Sequence, residues 1–177
     1  MSETAERELF ECLYQENKDA FLSEWERKRS LENTANTYLT VYSVILGFSF
    51  LKLEEFLKVI DNKSSKFSIV YWLIFMIGIS AFYCIIRGLW QTIKSVTLQG
   101  YRSFPEPNEL LEKMQDKSKL AFLKTLSKDF AKSVNMNEKE NNKKAQALQS
   151  SCNFLKGTII FICLVVFCIM FLKFLGG

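Results

Sequence analysis

Four small or polar residues, Asn36, Thr40, Ser43 and Gly47, recur within an uncharged run of 19 residues from Asn33 to Leu51. Their steps of four, three and four place them on one face of a helix, which we call the polar stripe. Small and polar side chains let helices approach closely and hydrogen-bond inside a bilayer. Alternatively, the same face in several copies of a helix can line a water-filled pore. The polar stripe therefore predicts either helix packing or ion passage.

Charged and aromatic residues precede the polar stripe. Arg27, Lys28 and Arg29 come shortly before it and would lie at the cytoplasmic mouth of such a pore. Phe21 and Trp25 end an apolar series that recurs at helical spacing, with acidic residues on the opposite face, which is typical of an amphipathic helix. We expect Phe21 and Trp25 to form an oligomer or partner face, whose nearest partner is the amphipathic segment that follows the second predicted span.

The composition argues against catalysis and metal binding. The sequence has no histidine, no Cys-x-x-Cys pair, no Gly-x-Ser-x-Gly and no glycine-rich phosphate loop. Most nucleophilic sites and ordinary zinc sites require such residues. We therefore expect no enzyme, no catalytic residues, no metal and no cofactor. The cysteines are expected to be reduced packing residues; they are Cys12, Cys84, Cys152, Cys163 and Cys168.

Lysines are concentrated in the second half of the chain. They could bind anionic lipid headgroups, RNA or a nucleotide second messenger. The alternative is a solvated face that follows the positive-inside rule. The residues concerned are Lys113, Lys117, Lys119, Lys124, Lys128, Lys132, Lys139, Lys143 and Lys144.

Three uncharged runs predict three transmembrane helices. The run Phe67–Ile86 has 20 residues, and Gly157–Leu172 has 16 between Lys156 and Lys173. About 20 apolar residues cross a bilayer, and lysine stems can reach the interface from a shorter run. Five Lys and Arg residues precede the first run, four lie in the first loop and thirteen in the second. The positive-inside rule then places the N-terminus and the second loop in the cytoplasm.

The predicted organisation is an amphipathic cytoplasmic helix (1–33), a first span (34–53), a short external loop (54–66), a second span (67–90), a cytoplasmic helical region (91–152) and a third span (153–175). We expect the first helix to continue a turn or two past its span. Asn108 is expected to cap a cytoplasmic helix. We expect the asparagine-rich segment 135–142 to break that helix and the last helix to start near Asn141.

Two segments carry a family resemblance. ERKRSLENTANTYLTVYSVILGF (Glu26 to Phe48) resembles the entry to the first span in small prokaryotic membrane effectors of antiviral defence, and DFAKSVNMNEKENNKKAQALQSS (Asp129 to Ser151) resembles the entry to their last helix. These families are the SLATT-type proteins, the membrane effectors of cyclic-nucleotide defence systems and CRISPR-associated membrane accessory proteins. The resemblance implies an oligomer that is inactive until infection and then permeabilises or depolarises the inner membrane.

The sequence thus predicts an all-α membrane protein with three transmembrane helices and a helical cytoplasmic bundle. We expect a homo-oligomer in the bacterial inner membrane that acts as an antiviral-defence effector by forming a pore. The trigger would be a defence partner protein, a nucleotide second messenger or RNA. The alternative is a non-conducting scaffold or accessory subunit that recruits a cytoplasmic partner to the lipid bilayer.

Overall fold

The computed structural model of the protein describes residues 3–61, 68–98, 100–103 and 118–176. Over these ranges the chain forms three α-helices, α1 (Glu3–Asp61), α2 (Ser68–Thr97) and α3 (Lys119–Gly176). The same ranges contain no strand. The prediction of an all-helical protein is therefore confirmed.

The first helix is continuous over 59 residues, from its charged beginning through its apolar part. It contains no proline, since both prolines of the chain lie elsewhere, and its one glycine, Gly47, weakens a helix far less than proline does. It continues past the predicted span to Asp61, which confirms the expected extension. The second helix likewise extends past residue 90 and ends at Thr97.

The expected helix break at residues 135–142 is wrong. α3 passes through this segment without interruption and is 58 residues long. Asparagine is a weak helix former because its side chain competes for backbone hydrogen bonds. Here Asn137 and Asn141 are instead fully buried and bonded to other parts of the chain. The predicted cap at Asn108 lies outside the described residues.

The chain divides into two compact units. Unit 1 consists of Met1–Glu32 and Leu98–Ala145, and unit 2 of Asn33–Thr97 and Gln146–Gly177. The boundary between the units divides both long helices, so each unit contains one part of α1 and one part of α3.

Unit 1 has an apolar core between α1 and α3. Phe21, Leu126 and Phe130 form its buried centre. The Phe21 and Phe130 rings meet edge to face, with centroids 5.6 Å apart. Such aromatic pairs contribute about 0.5–1.5 kcal/mol beyond the area that they bury. The core is completed by partly buried side chains of Tyr14, Trp25, Phe122 and Val134.

Unit 2 exposes a large apolar surface. α2 and α3 are long and apolar enough to cross a membrane, and they are the two such helices within the described residues. Exposed apolar surfaces of this extent are typical of a membrane or protein interface. Polar residues lower the mean hydropathy of α1, so its span at 34–53 stays a prediction. The exposed side chains include Trp72, Met76, Phe82, Ile160, Phe167 and Met170.

Candidate functional site

The polar stripe lies entirely on the exposed surface of α1. Asn36, Thr40, Ser43 and Gly47 are all exposed. The Thr40 hydroxyl donates to the Asn36 carbonyl at 3.0 Å, and the Ser43 hydroxyl donates to the Leu39 carbonyl at 2.8 Å. A Cβ atom added at Gly47 would meet nothing within 4 Å. The structure therefore brings the stripe onto one face, and the described part of the chain leaves that face uncovered.

The three helices of unit 2 contact one another through a different polar group. The Tyr42 hydroxyl on α1 donates to the Ser151 carbonyl on α3 at 2.7 Å. The Ser151 hydroxyl lies 2.7 Å from the Thr92 hydroxyl on α2 and 3.1 Å from the Gly88 carbonyl that it donates to. Tyr42, Thr92 and Ser151 are fully buried. We call Tyr42, Gly88, Thr92 and Ser151 the hydroxyl cluster.

Gly88 allows the tyrosine into this cluster. A Cβ atom at Gly88 would overlap the Tyr42 hydroxyl and ring, and even the Cε1 atom of that ring would be only 2.8 Å away. Real Cβ atoms do not approach that closely. The sequence analysis missed the hydroxyl cluster. An isolated glycine at the charged end of a predicted span was the available signal, since small residues permit close helix contacts in membranes.

The basic residues predicted at a pore mouth differ in their surroundings. Arg27 donates to the Asn142 side chain at 2.8 Å and lies 3.6 Å from the Glu24 carboxylate. The Lys28 ammonium lies 4.3 Å from the Trp25 ring centroid and 4.4 Å from that of Tyr101. Arg29 is exposed. Two of the three charges thus take part in contacts inside unit 1.

The two residues predicted to form an oligomer or partner face pack within unit 1. Phe21 is only 4% exposed because it packs against Leu126 and Phe130 of the same chain. Trp25 is partly buried and meets Tyr101 edge to face, with centroids 6.4 Å apart. Phe21 and much of Trp25 are thus covered by the chain itself, and Phe21 packs against the segment that sequence analysis named as its nearest partner.

A buried polar face on α3 is the second feature that the sequence analysis missed. Asn137 accepts from the Arg102 amide at 3.0 Å and donates to the Arg102 carbonyl at 3.3 Å. Asn141 donates to the carbonyl and carboxylate of Glu24 at 2.8 and 2.6 Å. Lys144, only 2% exposed, donates to Glu32 at 2.9 Å. The available signal was the spacing of these residues, at steps of four and three from each other.

Tyr101 lies among these groups. Its hydroxyl donates to the Asn141 side chain, and the Lys144 ammonium lies 4.9 Å from its ring centroid. Burial, together with the smaller effect of the nearby carboxylates of Glu32, Glu140 and Glu24, raises the pKa of the Tyr101 hydroxyl to about 12. A phenolate at this position would be both desolvated and repelled, so the hydroxyl stays protonated at neutral pH.

The lysine-rich region is partly neutralised within unit 1. Lys119 lies 3.0 Å from the Glu11 carboxylate, whose pKa is lowered by Lys119 and Arg7. Four of its lysines contact carboxylates: Lys119, Lys124, Lys143 and Lys144. Lys128, Lys132 and Lys139 are exposed. Lys113 and Lys117 lie outside the described residues.

The described residues contain no group of three or more acidic or cysteine side chains that could hold a metal ion. All five cysteines are free thiols, exposed or partly buried. The polar stripe is the candidate site in unit 2 because its four residues are exposed on one face of α1. No family model matches this sequence, and neither a curated protein nor a solved structure matches it.

Proposed function

We propose that the chain is a bacterial inner-membrane protein whose copies assemble around the polar stripe into an ion-conducting pore. The observation that carries the proposal is the exposure of Asn36, Thr40, Ser43 and Gly47, while the hydroxyl cluster joins the helices on another face. Because polar surface that faces lipid is costly, an exposed polar face next to two apolar helices is better accommodated facing water or other copies.

The proposal gives α1 the role of a third span beside α2 and α3. The N-terminus and the segment between α2 and α3 would lie in the cytoplasm, where the basic residues are most numerous. One helix face cannot enclose a water-filled path, so several copies are needed. Arg27, Lys28 and Arg29 would lie near the cytoplasmic mouth of that path.

The biological role that we propose is antiviral defence. It rests on the resemblance of Glu26–Phe48 and Asp129–Ser151 to small membrane effectors of such systems. In this role the pore would stay closed until a partner protein, a nucleotide second messenger or RNA reports infection. Opening would then depolarise the inner membrane.

The decisive experiment replaces Asn36, Thr40 and Ser43 together by leucine and measures ion flux across the membrane of phage-challenged cells, in which the trigger is present. We expect ion flux to be lost while the mass of the assembly is unchanged. Thr37→Leu is the matched control, because Thr37 is also exposed and bonds to its own helix at 3.0 Å, as Thr40 does. Unchanged flux in the triple variant would refute the pore.

The alternative function, a non-conducting scaffold, has one observation of its own. Unit 1 exposes Leu9, Leu22 and Met136, whose exposed fractions are 48%, 49% and 37%. A cytoplasmic partner could cover these side chains. The scaffold predicts that expression with phage challenge never depolarises cells, and that Leu22→Glu prevents co-purification of a partner.

A further inference from the structure

The contacts inside unit 2 set the relative levels of α2 and α3. Ser151 on α3 bonds to Gly88 on α2, and a Cβ atom at Gly157 would lie 3.6 Å from the Cys84 sulfur. Higher numbers on α3 therefore meet lower numbers on α2, so the two helices are antiparallel. The uncharged stretches of α2 before Arg87 and of α3 after Lys156 consequently lie side by side.

The direction of α1 follows from chain length. Tyr42 lies at the level of Gly88, and α1 continues to Asp61, about 29 Å further at about 1.5 Å per residue. α2 begins at Ser68, about 30 Å from the Gly88 level. If α1 ran parallel to α2, these two ends would be about 59 Å apart, but the six connecting residues can span only about 25 Å. Residues 42–61 of α1 therefore lie alongside residues 68–88 of α2.

These levels place two charged residues of α1 among apolar ones. Glu54 is about 18 Å beyond the Tyr42 level and Lys58 about 24 Å. At the same distances from Gly88, α2 has Met76 and Trp72, which are 60% and 64% exposed. At the corresponding distance from Ser151, α3 has Phe167, which is 67% exposed. The apolar surface of unit 2 thus surrounds the level of Glu54 and Lys58.

Glu54 and Lys58 form an ion pair, with the Lys58 ammonium 2.7 Å from the Glu54 carboxylate. Their side chains are 80% and 73% exposed, so the described residues do not shield them. A charged side chain at the centre of a bilayer costs about 2.5–3.5 kcal/mol on insertion scales. Such residues usually face water or protein rather than lipid, and they mark ion pathways.

The pair also extends the polar stripe. Glu54 follows Gly47 by seven residues, and Lys58 follows Glu54 by four, so both lie on the face of Asn36 and Ser43. Phe50, 63% exposed, lies between Gly47 and Glu54 on this face. The same exposed face therefore carries polar groups at the Tyr42 level and charges further along.

We propose that Glu54 and Lys58 lie at bilayer depth and face the same residues of other copies across a shared water-filled space. The occupant is a second copy because the pair offers one charge of each sign, so that Glu54 of one copy can approach Lys58 of the next. This inference rests on the proposed pore and locates its charged ring. It also moves the membrane-crossing part of α1 from 34–53 toward its C-terminal end, so that the polar stripe lies at the cytoplasmic entrance of the path.

The test uses spin labels in vesicles of bacterial lipid. The full chain, with its five cysteines replaced by alanine, receives a single cysteine by Glu54→Cys, Lys58→Cys or Met76→Cys. Met76 is the matched control, because it lies at the level of Glu54 on the apolar surface of α2. Each label is measured for collision with oxygen, which concentrates in lipid, for collision with a water-soluble nickel complex, and for broadening by labels on other copies.

We expect the labels at positions 54 and 58 to collide with the nickel complex and the label at 76 with oxygen. Broadening at 54 and 58 should disappear when an excess of unlabelled chain is mixed in. Nickel access without broadening would mean that the pair lies in bulk water outside the bilayer, and oxygen access would mean that it faces lipid; either result overturns the inference.

Ion flux across the membrane of phage-challenged cells that express the cysteine-containing chain separates this inference from the pore itself. Broadening and nickel access without any flux would support the arrangement of copies and refute the pore. Flux with oxygen access at position 54 would support the pore and refute the charged ring. If both hold, Glu54→Gln should shift the reversal potential toward anion selectivity, and Lys58→Gln toward cation selectivity.

Discussion

Replacing Gly88 by alanine should destabilise unit 2, although alanine is the better helix former. The added Cβ would overlap the Tyr42 hydroxyl and ring. Tyr42 is fully buried and donates to the Ser151 carbonyl at 2.7 Å, so it cannot move without losing that bond. Either the helices separate or the tyrosine leaves its position.

The expected magnitude combines three effects. Overpacking a filled site costs about 1–3 kcal/mol, and losing the Tyr42 hydrogen bond costs about 1 kcal/mol. The higher helix propensity of alanine stabilises the helix by about 1 kcal/mol and offsets part of this loss. The net loss for Gly88→Ala is about 2 kcal/mol. Gly47→Ala is the matched control, because its Cβ would meet nothing and the same propensity should make it neutral or stabilising.

The assay is reversible unfolding of the purified chain in detergent, followed by helical circular dichroism. Tyr42→Ala will itself destabilise, by about 3 kcal/mol or more, because it empties a buried site. In that background, however, Gly88→Ala should cost nothing, since the ring that it overlaps is gone. Equal effects of Gly88→Ala with and without the tyrosine would refute the close contact of α1 and α2.

Three further outcomes are expected. Ser151→Ala should lower the free energy of unfolding by about 1–3 kcal/mol, because it leaves buried partners unpaired, whereas Ser150→Ala should not; detergent unfolding compares them. Asn137→Ala should accelerate hydrogen exchange at the Arg102 amide, which donates to the Asn137 side chain. Asn135→Ala, at an exposed position, should leave exchange at this amide unchanged. Because burial raises the pKa of Tyr101 from about 10 to about 12, the unfolded chain loses this proton first. The free energy of unfolding should therefore be unaffected by Tyr101 below about pH 10 and fall as the pH rises toward 12. Tyr101→Phe should reduce this fall and remove one late-titrating phenol from the ultraviolet absorbance titration.

The helices could be predicted because their signals are local. Runs of helical spacing without proline indicate α1 and the two parts of α3, and the apolar residues after Arg87 indicate the extension of α2. The break at 135–142 was predicted from the same local rules and is wrong. Asn137 and Asn141 are held by Arg102 and Glu24, which are distant in the sequence, and no local propensity contains that information.

The candidate site shows the same division. The periodic spacing of Asn36, Thr40, Ser43 and Gly47 was enough to place them on one face. The hydroxyl cluster could not be predicted, because it depends on which turn of α2 meets Ser151 of α3. Phe21 and Trp25 were correctly placed on an amphipathic face, but sequence patterns do not distinguish a face that meets another molecule from one that meets its own chain.

The buried polar face of α3 has a mechanical consequence for unit 1. Sliding α3 along α1 by one turn, about 5.4 Å, would separate Asn141 from Glu24 and Lys144 from Glu32 in the same step. Each buried group left unpaired would cost about 1–3 kcal/mol, and an apolar interface would offer no such resistance. Sliding of α3 past α1 along the helix axis is therefore disfavoured in unit 1. A conformational change in unit 1 should therefore separate or tilt α1 and α3 rather than slide one along the other.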